Sequence, residues 1–170
     1  MLKRLLLAPF IVILCVATLV TTSDRAQAKL ESVQDKTGPA LGDTIDLLAW
    51  STRDGRTLVQ VIKGHSLAMI LVVNPSCGTC ADAKDGFRTL RERVGKPGIP
   101  YYVLMIPDST DTQKFFSYAD TLKLNVDVFV WSSKEMKAPT SLTTMAVPSH
   151  LLVTNEGLVV NKWPGTTPTP

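Results

Sequence analysis

The sequence predicts an α/β domain, with a mixed β-sheet flanked by helices. Residues 68–74 form a short apolar run rich in β-branched side chains, which favours a buried strand. Apolar residues then recur at helical spacing, at Ala83, Phe87, Leu90 and Val94. The whole chain runs as strand, helix, strand, helix and two closing strands, an order typical of a mixed sheet with helices on its faces.

Turn residues and spacing predict the remaining elements. Two apolar segments, residues 45–50 and 58–62, flank Asp54-Gly55 and predict an N-terminal β-hairpin extension. Further along, the same criteria predict a buried strand over residues 99–106, a helix carrying Phe115, Tyr118 and Leu122 as ordinary core residues, a strand over residues 126–131 and a closing hairpin with strands over residues 150–154 and 158–163.

Residues 1–28 have the layout of a secretory signal. Two basic residues precede an apolar run over residues 5–20, and the Ala-Gln-Ala of residues 26–28 is typical of a cleavage site. The run is shorter than the ~20 apolar residues of a spanning helix, but the threonines after it can extend it. Cleavage and retention as a single N-terminal membrane anchor therefore both stay open. Either outcome predicts a periplasmic or otherwise extracytoplasmic protein.

The rest of the chain is predicted to form one domain. Residues 29–44 are turn-rich and predict a linker, residues 45–163 the domain, and the proline-rich residues 164–170 a flexible tail. The formal charge of the chain is +3, of which residues 1–28 carry three basic and one acidic residue, so residues 29–170 carry +3 − 2 = +1. Without a basic stripe, the sequence argues against a nucleic-acid partner.

Two cysteines lie where the first predicted strand feeds a helix, as Cys77-Gly78-Thr79-Cys80. Free backbone N–H groups and the helix dipole favour a thiolate there. A disulfide across so short a loop removes little unfolded-state entropy, which argues against a purely structural bridge. Redox chemistry is the favoured interpretation. The third cysteine, Cys15, lies in the apolar run of the signal and is interpreted as an ordinary apolar residue.

Metal binding is the weaker interpretation of the cysteine pair. A structural zinc site needs two more cysteine or histidine ligands, and only His65 and His150 exist, without zinc-site spacing. His65 is predicted to be a turn residue, and His150 to be packed or exposed on its strand. The charged residues after the cysteines, Asp82, Lys84 and Asp85, are predicted to form a solvated helix face.

Residues 37–163 resemble the thioredoxin superfamily, and more closely its exported, membrane-associated thiol–disulfide oxidoreductases of the TlpA and ResA type. The motifs that carry the resemblance are the early Arg-Asp-Gly-Arg of residues 53–56, the cysteine pair, and Val147-Pro148 ahead of the closing hairpin. The resemblance implies a thioredoxin-like fold, here with a shortened C-terminus because the chain stops soon after Trp163. It also implies a cis bond at Pro148 facing the cysteines and a Val147 backbone that pairs with substrate.

The cysteine motif departs from the usual pattern of this superfamily. Ser76 stands where Trp is common, and Gly78-Thr79 replaces Gly-Pro or a similar pair. The Pro-Ser-Cys of residues 75–77 is more similar to the thioredoxin-type accessory proteins of methylamine utilisation. Ser76, Gly78 and Thr79 are therefore predicted to tune the reduction potential and the choice of partner.

The sequence predicts dithiol–disulfide exchange, with Cys77 attacking and Cys80 resolving. The predicted partners are protein thiols or disulfides and a membrane or periplasmic redox protein, with no cofactor and no bound metal. Two alternatives come from other classes. A peroxiredoxin-like peroxidase needs a Thr three residues before the cysteine, where Asn74 stands. A copper or zinc carrier would bind through both thiols and His150.

Overall fold

The computed structural model describes residues 37–106, 112–131 and 140–165. The predicted signal or anchor and the predicted tail after residue 165 lie outside these residues. The strands are β1 (Trp50–Ser51), β2 (Leu67–Val73), β3 (Tyr101–Met105), β4 (Val128–Trp131), β5 (Ser149–Thr154) and β6 (Val159–Pro164). The helices are α1 (Leu58–Ile62), α2 (Gly78–Asp82), α3 (Lys84–Gly95), α4 (Thr112–Leu122) and α5 (Thr140–Thr143). Within the described ranges, no helix has the length and apolar character needed to cross a membrane.

The six strands form one mixed sheet in the order β1-β4-β3-β2-β5-β6. β3 runs parallel to both β2 and β4, whereas the β1–β4, β2–β5 and β5–β6 pairs are antiparallel. All but the first residue of β2 are buried, which explains its continuous apolar sequence. The predicted α/β class, the mixed sheet and the strand before the cysteines are confirmed.

Each face of the sheet has its own apolar core. On one face, α1 and α5 cover the sheet, and the largest buried side chains include Trp50, Leu58 and Phe129. On the other face, α3 and α4 cover the sheet through Phe87 and Phe115. The second core also contains both cysteines, and we call it the cysteine-side core.

The closing hairpin is confirmed, and its turn packs against the N-terminal part of the domain. Gly157 has a φ of +86°, which favours glycine, and its N–H donates to the carbonyl of Thr154 at 3.0 Å. The N–H of Ile45 donates to the carbonyl of Gly157 at 3.0 Å. A β-carbon at Gly157 would lie 2.5 Å from the carbonyl oxygen of Ile45.

Neither strand of the predicted N-terminal hairpin forms as predicted: of residues 45–50 only Trp50 lies in a strand, β1, and the second segment is a helix. The turn of the hairpin exists, because the N–H of Thr52 donates to the carbonyl of Arg56 at 2.9 Å, but residues 58–62 form α1. The helix begins after Thr57, whose N–H donates to the side chain of Gln60 at 2.8 Å. This is a helix-start interaction between residues three apart. Leu58 and Ile62, spaced four apart, then face the core.

Residues 37–44 contact β6. The ammonium of Lys162, only 5% exposed, donates to the carbonyls of Pro39 at 3.1 Å and Thr37 at 3.4 Å. The N–H of Gly42 donates to the carbonyl of Val159 at 2.9 Å. These contacts attach the segment before β1 to the far edge of the sheet. The domain boundaries drawn from the sequence stay a prediction.

We expect Gly157→Ala to lower the free energy of unfolding by about 2–4 kcal/mol, because the new methyl group meets the Ile45 carbonyl and alanine disfavours positive φ. Gly55→Ala is the matched control. Its φ is +84° but nothing lies within 4 Å of the added carbon, so about 1–2 kcal/mol is expected. Urea unfolding of both variants measures the difference, and equal losses would contradict the close approach.

Candidate active site

The cysteine turn follows directly from the end of β2. The N–H of Cys77 donates to the carbonyl of Asn74 at 3.1 Å, which turns the chain after Val73. Cys77 has extended backbone angles, and α2 begins at the next residue. Cys80 lies within that helix, and its N–H donates to the carbonyl of Cys77 at 3.2 Å. The predicted strand-to-helix position of the cysteines is confirmed.

A disulfide joins Cys77 to Cys80, and their Cα atoms lie 5.4 Å apart. The two residues differ in exposure. Cys77 keeps 8% of its surface exposed, whereas Cys80 is completely buried. An attacking partner therefore reaches the sulfur of Cys77 more easily than that of Cys80.

A cis proline lies at the same end of the sheet. The Val147–Pro148 peptide bond is cis, as the resemblance implied. Ser149 follows and pairs with Val72, so Pro148 lies next to the end of β2, where the cysteine turn starts. Val147 packs against the cysteine-side core. The substrate-binding roles of Val147 and Pro148 stay a prediction.

Three exposed residues, Ser76, Gly78 and Thr79, surround Cys77 in the chain. The hydroxyl oxygen of Thr79 lies 3.6 Å from the sulfur of Cys77, and nothing lies within 4 Å of a carbon added at Gly78. All three are exposed neighbours of Cys77 in the chain. Their tuning role stays a prediction.

No family model matches the sequence, and no curated protein matches it. Solved structures match its fold. The thioredoxin domain of a thiol-disulfide oxidoreductase from Bacteroides vulgatus is 15% identical, with a TM-score of 0.59, covering 75% of this chain and 91% of that chain. The fold is thioredoxin-like. This confirms the fold that the sequence motifs implied.

Two further solved structures match the same fold. A domain of a possible thiol-disulfide isomerase from Cytophaga hutchinsonii is 15% identical, with a TM-score of 0.58, and the match covers 76% of this chain and 87% of that chain. A putative thiol:disulfide interchange protein DsbE from Chlorobium tepidum is 16% identical, with a TM-score of 0.55, and the match covers 75% of this chain and 86% of that chain.

Sequence reasoning missed one contact of the cysteine turn. The hydroxyl of Tyr118, on α4, donates to the carbonyl of Cys77 at 3.3 Å. The sequence places Tyr118 on an ordinary core face. The two residues lie 41 positions apart, and helical spacing within α4 does not indicate which neighbour a residue contacts.

His150 is completely buried beside the cysteine-side core. Its Nε2 atom lies 2.9 Å from the hydroxyl of Tyr101, and its ring contacts Phe87 edge-on with centroids 5.9 Å apart. Its Nδ1 atom is buried and makes no hydrogen bond of ordinary geometry to the described residues. Burial lowers the pKa of His150 to about 4, although the backbone of Gly165 opposes the shift. The ring is therefore neutral at pH 7.

The structure does not form the ligand set of the metal-carrier alternative. The Nε2 atom of His150 already pairs with Tyr101, and the side chain is buried. Throughout residues 37–106, 112–131 and 140–165, no group of three or more His, Cys, Asp and Glu residues is arranged to hold a metal ion. His65 is exposed in a turn, and the predicted solvated face of Asp82, Lys84 and Asp85 is exposed.

We expect His150 to make the stability of the domain depend on pH. Its folded pKa of about 4 lies below the unfolded value of about 6.5, so the unfolded state binds more protons between these values. Stability is then full above pH 6.5 and falls as the pH drops toward 4. From pH 7 to 4.5, the wild type should lose about 2 kcal/mol more than His150→Gln.

Urea unfolding at several pH values measures this loss. His65→Gln, at an exposed turn, controls for replacing a histidine as such and should follow the wild type. Parallel pH profiles of the wild type and His150→Gln would show that burial does not disfavour the charged ring.

Proposed function

We propose that the chain is an extracytoplasmic thiol–disulfide oxidoreductase that works through the Cys77/Cys80 couple. The observation that carries the proposal is the disulfide at the end of the central strand of a thioredoxin-like fold, beside a cis proline. The similar solved structures from Bacteroides vulgatus and Chlorobium tepidum are described as a thiol-disulfide oxidoreductase and a putative thiol:disulfide interchange protein.

The exposure of the two sulfurs supports separate roles. The thiolate of Cys77 attacks one sulfur of a partner disulfide, forms a mixed disulfide and releases the other partner sulfur as a thiolate. The buried Cys80 then loses its proton and attacks the Cys77 sulfur, which releases the second partner thiolate. Two electrons pass to the partner, its two sulfurs take up protons, and the Cys77–Cys80 disulfide forms.

The edge beside Pro148 fits the substrate chain of this reaction. Val147 and Pro148 precede β5 and lie at the cysteine end of the sheet, where an extended peptide can pair with the backbone of Val147. Ser76, Gly78 and Thr79 are exposed around Cys77 and supply the contacts that select the partner.

The compartment and the direction of exchange belong to the same proposal. The signal-like residues 1–28 direct the domain out of the cytoplasm, either released or held by an N-terminal anchor. Disulfides persist in such compartments. The chain reduces disulfides of exported proteins, and a membrane or periplasmic dithiol protein returns Cys77 and Cys80 to the reduced state.

We expect Cys80→Ser to accumulate mixed disulfides with substrate proteins, because no internal thiol remains to resolve them. Cys77→Ser should abolish insulin reduction, since the buried Cys80 cannot replace the attacking sulfur. Non-reducing gels and the insulin turbidity assay measure these outcomes. Cys15→Ala is the matched control and should keep wild-type activity.

Insulin reduction by Cys77→Ser at the wild-type rate, together with an absence of trapped species in Cys80→Ser, would overturn the scheme. Consumption of hydrogen peroxide by Cys77 that does not need Cys80 would instead favour the peroxidase alternative.

We expect the reduction potential of the Cys77/Cys80 couple to lie nearer the ~−270 mV of thioredoxin than the ~−120 mV of the strong oxidant DsbA. A reductant must hold its disulfide form more stably than its substrates do. Equilibration with glutathione buffers of known potential measures the value. A potential near ~−120 mV would reverse the proposed direction while keeping the exchange chemistry.

A further inference from the structure

A tyrosine from α4 reaches the backbone of the attacking cysteine. Tyr118 is half-buried and packs against the cysteine-side core, and its hydroxyl donates to the carbonyl of Cys77 at 3.3 Å. This distance exceeds the roughly 2.5–3.0 Å that is usual for a hydrogen bond from a hydroxyl group, so the bond is weak. Nothing in the thiol exchange scheme above assigns a role to this residue.

The same carbonyl also binds the second cysteine. The N–H of Cys80 donates to the Cys77 carbonyl oxygen at 3.2 Å, so that one atom accepts from Cys80 and from Tyr118. A carbonyl oxygen has two lone pairs, and these two donors use both. The carbonyl that links the backbones of the two cysteines is therefore also bound by a residue of α4, 41 positions away in the chain.

α4 is itself held on both sides. Phe115 and Leu122 are buried in the cysteine-side core. On another face, the guanidinium of Arg53 lies 4.9 Å from the ring centroid of Phe116 and 3.2 Å from the carboxylate of Asp120. The buried contacts hold α4, which carries Tyr118, against the cysteine-side core, and the exposed contacts with Arg53 add little.

The hydroxyl also acts electrostatically on residue 77. Its hydrogen, the positive end of the O–H dipole, points at the backbone carbonyl oxygen of Cys77, the residue whose thiolate forms after reduction of the disulfide. A donor on this oxygen offsets part of the negative charge of the carbonyl, which reduces its repulsion of a negative charge on the same residue and favours the thiolate. Burial raises the pKa of Tyr118, so the hydroxyl keeps its proton at neutral pH.

We propose that Tyr118 is a positioning residue for Cys77. It holds the carbonyl of Cys77 in the orientation shared with Cys80 and raises the fraction of Cys77 that is a thiolate. The proposal deepens the proposed exchange function and rests on Cys77 being its attacking sulfur.

The test compares Tyr118→Phe with Tyr102→Phe. The control removes the same kind of group, because the hydroxyl of Tyr102 also donates to a backbone carbonyl at 3.3 Å, that of Val61. Tyr102 belongs to the opposite core, away from the cysteines. Burial raises the pKa of both tyrosines, so each loses a protonated donor.

The readout is the thiolate-to-thiol ratio of Cys77 in the reduced protein across pH. Ultraviolet absorbance of the thiolate and the rate of alkylation by iodoacetamide both report it. Tyr118→Phe should lower the ratio about threefold at a given pH, as expected for losing one weak hydrogen bond. Tyr102→Phe should leave the ratio unchanged. Thermal unfolding of both variants measures how much stability the fold loses when each hydroxyl is removed.

An unchanged ratio in Tyr118→Phe, or the same decrease in both variants, would overturn the proposal. Failure of the proposed function is separate. If the wild type does not reduce insulin, the exchange function fails, while the titration of Cys77 still shows whether Tyr118 favours its thiolate.

Discussion

Burial of β2 on both faces is the constraint on which the rest of the structure depends. Its side chains divide between the two cores, so the strand occupies the centre of the sheet. The cysteine turn then has to begin where this strand ends. Antiparallel pairing with β5 brings the start of β5, and Pro148 before it, to the same end. One buried strand therefore places the sulfurs and the cis proline together, although they lie about seventy positions apart in the chain.

Much of this arrangement could be predicted from local signals. The apolar run of residues 68–74 and the helical spacing after Cys80 are contained within short windows, and the structure agrees with both. The strand predicted over residues 58–62 is a helix, because a segment of only five residues is too short for its apolar pattern to distinguish the helical period from the strand period. The decisive signal was Thr57 followed three residues later by Gln60, which favours a helix start over a second hairpin strand.

Contacts between distant segments could not be predicted in this way. Whether His150 is packed or exposed depends on which aromatic residues face its strand, and Phe87 and Tyr101 come from two other elements. The hydroxyl of Tyr101 satisfies one ring nitrogen, which lowers the cost of placing a polar side chain in an apolar core. Such a pair has no signature in sequence spacing, since neither residue constrains the position of the other along the chain.

The contacts between Lys162 and residues 37 and 39 depend on a side chain at one end and only on the backbone at the other. The acceptors are backbone carbonyls of Thr37 and Pro39, whereas the only side chain involved is Lys162, more than 120 positions away. Every amino acid supplies a carbonyl, so most replacements at positions 37 and 39 leave these acceptors in place. Replacements at these two positions are therefore tolerated while the contacts with Lys162 persist. For these contacts, the requirement for a particular amino acid falls on β6.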